Sequence, residues 1–168
     1  MSSVIIGIDP GLKGAIAFNR SNGSVVVLDL PTVKRNGKDE LDFAALAHMI
    51  RDRVDLKRES VEAFIEQVGA MPGNGSSSMF RFGETAGGIR GVLAGLGIPL
   101  TRILPARWKK ALAVPAEKNE ARRRASELMP AAASLWPLVK HDGRAEAALI
   151  AFYGRRHAAT ADLDALLS

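Results

Sequence analysis

The sequence predicts an α/β fold, a mixed sheet of five strands with helices on both faces, and three observations carry that expectation. Two short apolar runs, Val4-Ile5-Ile6-Gly7-Ile8 and Ala63-Phe64-Ile65, have the length of buried strands, and each ends on a carboxylate, Asp9 and Glu66. Turn signals follow the first run at once and then recur, which predicts hairpins. Past residue 40 the apolar spacing changes to three and four, and such segments alternate with further short strands.

Taken in order, residues 4–9 read as the first strand. Gly11 and Gly14 make a turn into its partner at 15–19, and Ser21-Asn22-Gly23 turns into a third strand at 24–30. Three strands in rapid succession predict an antiparallel meander. Residues 31–38 read as a polar loop. Phe43, Leu46, Ile50 and Val54 then fall on one side of a helix over 42–54. Residues 61–67 make a fourth, central strand. The stretch 69–78, GAMPGNGSSS, is too polar for core and too short to link domains, and such loops carry function. A helix over 79–96, a strand over 99–104, a short helix over 106–112 and a longer one over 117–129 follow. A Pro- and Ala-rich connector over 130–138 leads to a last helix over 142–157. No internal repeat is present, and the order of elements looks like an RNase H-type domain.

Composition bounds the function classes. A chain of 168 residues, 47% hydrophobic and 24% charged, has the make-up of one folded domain spanning 1–168. It has no cysteine, which excludes disulfides and thiolate metal sites and fits a reducing compartment. The N-terminus lacks a basic region followed by an apolar stretch, and no apolar segment approaches the ~20 residues that span a bilayer. The expectation is a cytoplasmic protein with no membrane partner and no small-molecule cofactor. The net charge of +5 is unevenly placed: residues 102–124 hold eight basic and two acidic residues, a net of +6, and the remainder nets −1. Such a segment suits a polyanion; its other reading is a solvated helix face.

The chemistry rests on four acidic residues. Asp9 and Glu66 end apolar runs, and Asp142 and Glu146 stand four apart on one face of a helical pattern. A carboxylate at the tip of a buried strand is costly unless its charge is compensated. Magnesium takes such hard oxygen ligands and leaves positions for water and phosphate. Two metals about 4 Å apart would clamp the attacking and leaving oxygens of a phosphodiester. Each residue also has a plain reading: Asp9 as a turn residue, Glu66 as a solvent-facing strand end, Asp142 as a helix cap beside the dipole, Glu146 as a surface acid. Trp108 and Trp136 read as core or interface aromatics.

The helix over 79–96 carries Gly83, Gly87, Gly91 and Gly95, each four apart. Each costs a helix about 1 kcal/mol relative to alanine. A bare ridge of this kind invites close approach of another backbone, either within the chain or across a dimer seam.

Together these stretches resemble the RuvC family of Holliday-junction resolvases, in the shorter form carried by phages and prophages. The matching runs are Ile6-Gly7-Ile8-Asp9-Pro10-Gly11, Phe64-Ile65-Glu66-Gln67-Val68 and Phe82-Gly83-Glu84-Thr85-Ala86-Gly87-Gly88. Leu104-Pro105-Ala106-Arg107-Trp108-Lys109-Lys110, Ala116-Glu117-Lys118 and Asp142-Gly143-Arg144-Ala145-Glu146-Ala147 follow, so the likeness runs from about residue 3 to 155. It implies an RNase H-like fold, a homodimer with two active sites, and symmetric nicking of four-way or branched DNA. It also implies two Mg²⁺ per site, with Mn²⁺ as a substitute. The implied metal ligands are Asp9, Glu66, Asp142 and Glu146, with Lys118 assisting catalysis. Arg81, Arg107, Lys109, Lys110, Lys118, Arg122 and Arg123 are the DNA contacts expected, and the glycine-striped helix matches the family's dimer helix. Two departures stand out. The cellular enzymes carry an aromatic soon after the Glu-Gln pair that unpairs bases; here Gly69-Ala70 holds that place, and Phe80 or Met79 is the substitute. The C-terminal acids are four apart, where those enzymes show Asp-x-x-Asp or His-x-x-Asp, so His141 is a further candidate. The other readings are a branched-DNA binding protein that does not cut, and an actin-like or sugar-kinase-like ATPase suggested by the Ile-Gly-Ile-Asp-Pro-Gly string, for which the chain is short of a second lobe.

Overall fold

The apolar run ending at Asp9 forms the middle strand of the sheet. In chain order the elements are β1 (Ser2–Asp9), β2 (Ala15–Arg20), β3 (Val25–Asp29), β4 (Thr32–Arg35), β5 (Lys38–Leu41), α1 (Phe43–Arg51), β6 (Glu59–Glu66), α2 (Ser76–Gly95), β7 (Leu100–Ile103), α3 (Pro105–Ala111), α4 (Glu120–Leu128) and α5 (Asp142–Leu167). The structure, a computed structural model, describes residues 2–67, 75–117 and 119–167. The main sheet has the order β3-β2-β1-β6-β7. The meander β1-β2-β3 is antiparallel, and β6 and β7 run parallel to β1, so the sheet is mixed. The chain reverses direction of travel across the sheet between β1 and β6, and ligands of open α/β sheets bind at the carboxyl ends of strands beside such a switch.

Side-chain alternation along β1 divides the interior in two. Ile5 joins a cluster with Phe64, Trp108, Trp136 and the inner face of α5, while Val4, Ile6 and Ile8 join the opposite cluster with Leu46, Ile50, Ile89 and Leu93 of α1 and α2. Helices therefore cover both faces. Gly7 is the crossing point of α5: a Cβ there would run into the Ala147 carbonyl and the Ala151 amide. Asp42 caps α1, its side chain accepting the Ala45 amide at 2.9 Å.

Several boundaries differ from the sequence reading. The segment expected as a polar loop, 31–38, contains β4 and the start of β5, which pair as a separate two-stranded ribbon. Its strands are too polar for an apolar alternation to announce them, but Asn36-Gly37 at the tip, with φ of 49° and 75°, is a hairpin turn. Helix α2 begins at Ser76, inside the expected loop; residues 68–74 of that loop, with Gly69-Ala70, lie outside the described residues. The connector holds a 3₁₀ helix, Pro130–Leu135, and α5 continues to Leu167 rather than ending near 157.

The glycine stripe is resolved in one respect. Among the described residues a Cβ at Gly83, Gly87, Gly91 or Gly95 would meet nothing within 4 Å, so packing against them does not explain the stripe. The tight contact on this helix is at Gly88, off the stripe, where a Cβ would strike the Phe43 ring. Among the described residues no helix is long and apolar enough to cross a membrane.

Candidate active site

Register and pleat bring the first two carboxylates together. Ile8 pairs with Ile65 in parallel, so one step further Asp9 and Glu66 stand level at the carboxyl edge of adjacent strands. Asp9 shares a face with Ile5 and Gly7, and Glu66 with Phe64, so both look toward α5. That helix begins at Asp142, and its second residue is Gly143. A Cβ at Gly143 would lie 2.6 Å from the Lys13 carbonyl and 3.0 Å from Asp9 Oδ2. Only a glycine lets the helix start this close to the β1–β2 turn, and Glu146, one turn on, then reaches the same centre.

The electrostatics show how close the three acids are. Burial, then Glu146, then Glu66 push the Asp9 carboxyl up to about 7, against the opposing pull of Lys109. Burial also raises Glu66; the hydrogen bond from the Trp108 indole opposes it, Glu146 adds to it and Lys109 again lowers it. Trp108 is fully buried, and its Nε1 donates to Glu66 Oε1 at 3.0 Å. Lys109 lies 3.2 Å from Glu146 Oε1 and 5.2 Å from the centre of the Trp108 ring. Helix α3 thus supplies one hydrogen-bond donor and one cation to the acidic centre, a contribution that the sequence does not reveal. A lone tryptophan in a short cationic helix is a usable signal, because a buried indole needs a partner for its N–H.

Asp142 stands apart from this group. Its Oδ1 accepts from Arg122 Nε at 3.1 Å, and Arg122 also donates to the Pro137 carbonyl. Of the four expected ligands the structure therefore brings three to one centre and ties the fourth to an arginine. His141 Nδ1 accepts the Leu138 amide at 3.3 Å, closing its own turn. As the side chains stand, no three acidic or histidine residues among those described are spaced to hold a metal ion. The donor chemistry nevertheless fits a divalent cation. Three hard oxygen donors face one centre, burial first and the two neighbouring acids second raise the Asp9 carboxyl to about 7, and among the described residues Lys109 alone offsets the charge on both Asp9 and Glu66.

The expected DNA contacts divide similarly. Arg81, Arg107 and Lys110 are exposed and form no ion pair among the described residues. Arg122 is bound to Asp142, and Arg123 lies between Glu120 and Glu127, so both are engaged within the chain. Lys118 lies outside the described residues. Phe80, in the first turns of α2, is 73% exposed, and Met79 is 38% exposed.

No protein-family model and no curated protein sequence matches the chain. Solved structures do. RuvC of Thermus thermophilus in complex with a Holliday-junction substrate superposes with a TM-score of 0.62 at 14% identity, over 94% of this chain and 96% of that one. A second Thermus thermophilus RuvC structure gives 0.52 at 19% identity, over 92% and 96%. The yeast mitochondrial Holliday-junction resolvase Ydc2 gives 0.55 at 16% identity, over 89% of this chain and 76% of that one. The chain has the RNase H-like fold in the form shared by the RuvC-type Holliday-junction resolvases.

Proposed function

We propose that this chain is a metal-dependent, structure-selective endonuclease that resolves four-way junctions, and other branched DNA, by paired symmetric nicks. The observation that carries the reading is the meeting of Asp9, Glu66 and Glu146 at the carboxyl edge of a RuvC-like sheet. Asp9, Glu66 and Glu146 would hold magnesium or manganese, two ions per site, with Asp142 joining once it parts from Arg122. When bound, the metals supply charge for the phosphodiester oxygens and a water acidified enough to attack. The chain's own residues do the rest. The Trp108 N–H fixes one oxygen of Glu66 and leaves the other for ligation. Lys109 pairs with Glu146 and, with metal held by that carboxylate, would be available to phosphate. Lys118 would offset charge on the transition state. Arg81, Arg107 and Lys110 contact the arms, and Phe80 offers an exposed ring on which an unpaired base can stack.

Paired nicks require two sites in one complex, which a two-fold dimer provides. The open stripe Gly83, Gly87, Gly91 and Gly95 supports α2 as its seam. The absence of cysteine suits a cytoplasmic setting. The runner-up, a junction-binding protein that does not cut, draws on the internal pairing of Asp142 with Arg122 and Glu146 with Lys109. One assay separates the two: incubation with four-way, three-way and linear duplex DNA in Mg²⁺ or Mn²⁺. The expected result is paired nicks in the four-way substrate. Binding without product would favour the runner-up, and neither binding nor product would end both readings.

A further inference from the structure

The ribbon β4–β5 has no role in the acidic centre, and its construction points outward. It is not part of the main sheet; its base is anchored by Leu41 in the core beneath α1 and α2, and its second strand lines a cavity beside Arg81 and Glu84 of α2. Its tip is fully in solvent: Lys34, Arg35, Asn36, Gly37 and Lys38 are all exposed. Register sets Arg35 directly opposite Lys38 across the turn. Like charges in directly opposed positions destabilise a ribbon. Two acids of the second strand moderate this: Asp39 stands directly opposite Lys34, and Glu40 lies 3.7 Å from Arg35 in a pair between exposed side chains, worth little in water. Lys34 and Lys38 have no ion pair among the described residues. The two acids, Asp39 and Glu40, thus sit toward the base, while residues 34–38 at the turn hold three cations and no acid and present positive charge outward.

Its position says which anion. Asp9 pairs with Ala15 and Ala15 with Asp29, so the strand that feeds the ribbon ends level with Asp9, two strands away. At roughly 4.8 Å per strand the base lies about 10 Å from the acidic centre, and four residues add a reach of about 14 Å. Leu12 and Arg81 share one cavity wall with Lys38 to Leu41, so the ribbon continues the surface of the β1–β2 turn and the start of α2. It stands on the α1–α2 side of the sheet, whereas Arg107 and Lys110 of α3 stand on the α5 side. The acidic centre thus lies between two separate cationic elements at one edge of the sheet.

We infer that the β4–β5 tip is a second phosphate-binding element, which grips the backbone of a duplex arm roughly 20 Å from the nicked phosphate through Lys34, Arg35 and Lys38. The inference rests on the nuclease reading and extends it to a surface outside the acidic centre. A two-stranded ribbon fits against duplex DNA, and its three cations supply charge for the phosphate backbone.

The test is the triple variant Lys34→Ala, Arg35→Ala, Lys38→Ala in the full chain, titrated with a four-way junction from low to moderate salt in chelator. Each lost phosphate contact flattens the log–log salt dependence by about 0.9, so the slope should fall by about 2 to 3, with an unchanged circular dichroism spectrum and a melting temperature no lower than wild type. Arg35→Glu alone should weaken binding further than Arg35→Ala. If wild type binds the junction and the variants keep its slope and affinity, the ribbon is not a DNA contact while the nuclease reading stands. If wild type itself binds no DNA, both fall together.

Discussion

Replacing Asp9 with asparagine should make the metal-free protein more stable above neutral pH and do nothing comparable in acid. In the folded chain the Asp9 carboxyl is pushed from its ordinary 3.8 up to about 7, first by burial and then by Glu146 and Glu66. Between those two values the native state keeps a proton that the unfolded chain has given up. Stability therefore falls as pH rises, from its full value below 3.8 to a plateau beyond about 7. A displacement of about three units corresponds to about 4 kcal/mol at most, with the three acids sharing the effect. An asparagine side chain does not ionise, and about two of the three units fall between pH 5 and pH 8, so the stability difference between variant and wild type should open by up to about 3 kcal/mol over that range. Urea unfolding in chelator, followed by circular dichroism at both pH values, measures it. Millimolar Mg²⁺ should then restore wild type at pH 8 and leave Asp9→Asn unmoved, because a ligand stabilises only the state that binds it. A difference that stays constant from pH 5 to 8 would refute the crowded, buried carboxylate centre.

Four other perturbations probe separate parts of the structure. Trp108→Phe removes the indole donor to Glu66, so half-maximal nicking should need more Mg²⁺, with a stability loss of about 1–3 kcal/mol on denaturation. Gly143→Ala puts a methyl 2.6 Å from the Lys13 carbonyl; it should abolish nicking and cost about 1–3 kcal/mol while junction binding survives in a gel-shift assay. Gly87→Ala with Gly91→Ala meets open space in the chain and should raise helix stability by up to about 2 kcal/mol, yet sedimentation should show a weakened dimer if α2 is the seam. Arg122, Arg123 and Arg124 replaced together by alanine should flatten the salt dependence of junction binding by much less than three contacts' worth, because all three pair inside the chain; a loss near 2.7 would show that DNA strips them from their partners.

The elements that build the carboxyl edge were legible because their signals are local. The runs ending at Asp9 and Glu66, the turns after the first of them and the three-four spacing at Phe43, Leu46 and Ile50 each show within a short window, and all lie where expected. The ribbon escapes such a reading because its strands have one buried apolar residue, Leu41, and so lack the alternation that marks a half-buried strand. The start of α2 is hidden because serines carry little helical signal, and here they follow Gly75 without a side-chain cap. The extent of α5 beyond 157 is hidden too, because its small and polar residues show no amphipathic stripe to mark an end.

The site was legible in its residue types and not in its pairings. Trp108 and Glu66 are 42 positions apart, and only the crossing of α3 over the end of β6 makes them partners. The basic segment shows the same limit more sharply. Counted from 102 to 124 it nets +6, but the count stops just short of Glu127, which binds Arg123 and Arg124, and of Asp142, which binds Arg122. Folding closes those gaps, so the arginine run presents far less charge to a polyanion than its composition implies. Exposed cations without ion pairs among the described residues include Arg107 and Lys110 of α3, Arg81 of α2, Lys13 in the β1–β2 turn and, on the ribbon tip, Lys34 and Lys38. A duplex approaching the carboxyl edge would meet positive charge on either side of Asp9 and Glu66 rather than along one helix. On the proposed nuclease reading, that arrangement would direct a phosphate backbone across the acidic centre, where a uniform basic patch would only hold it nearby.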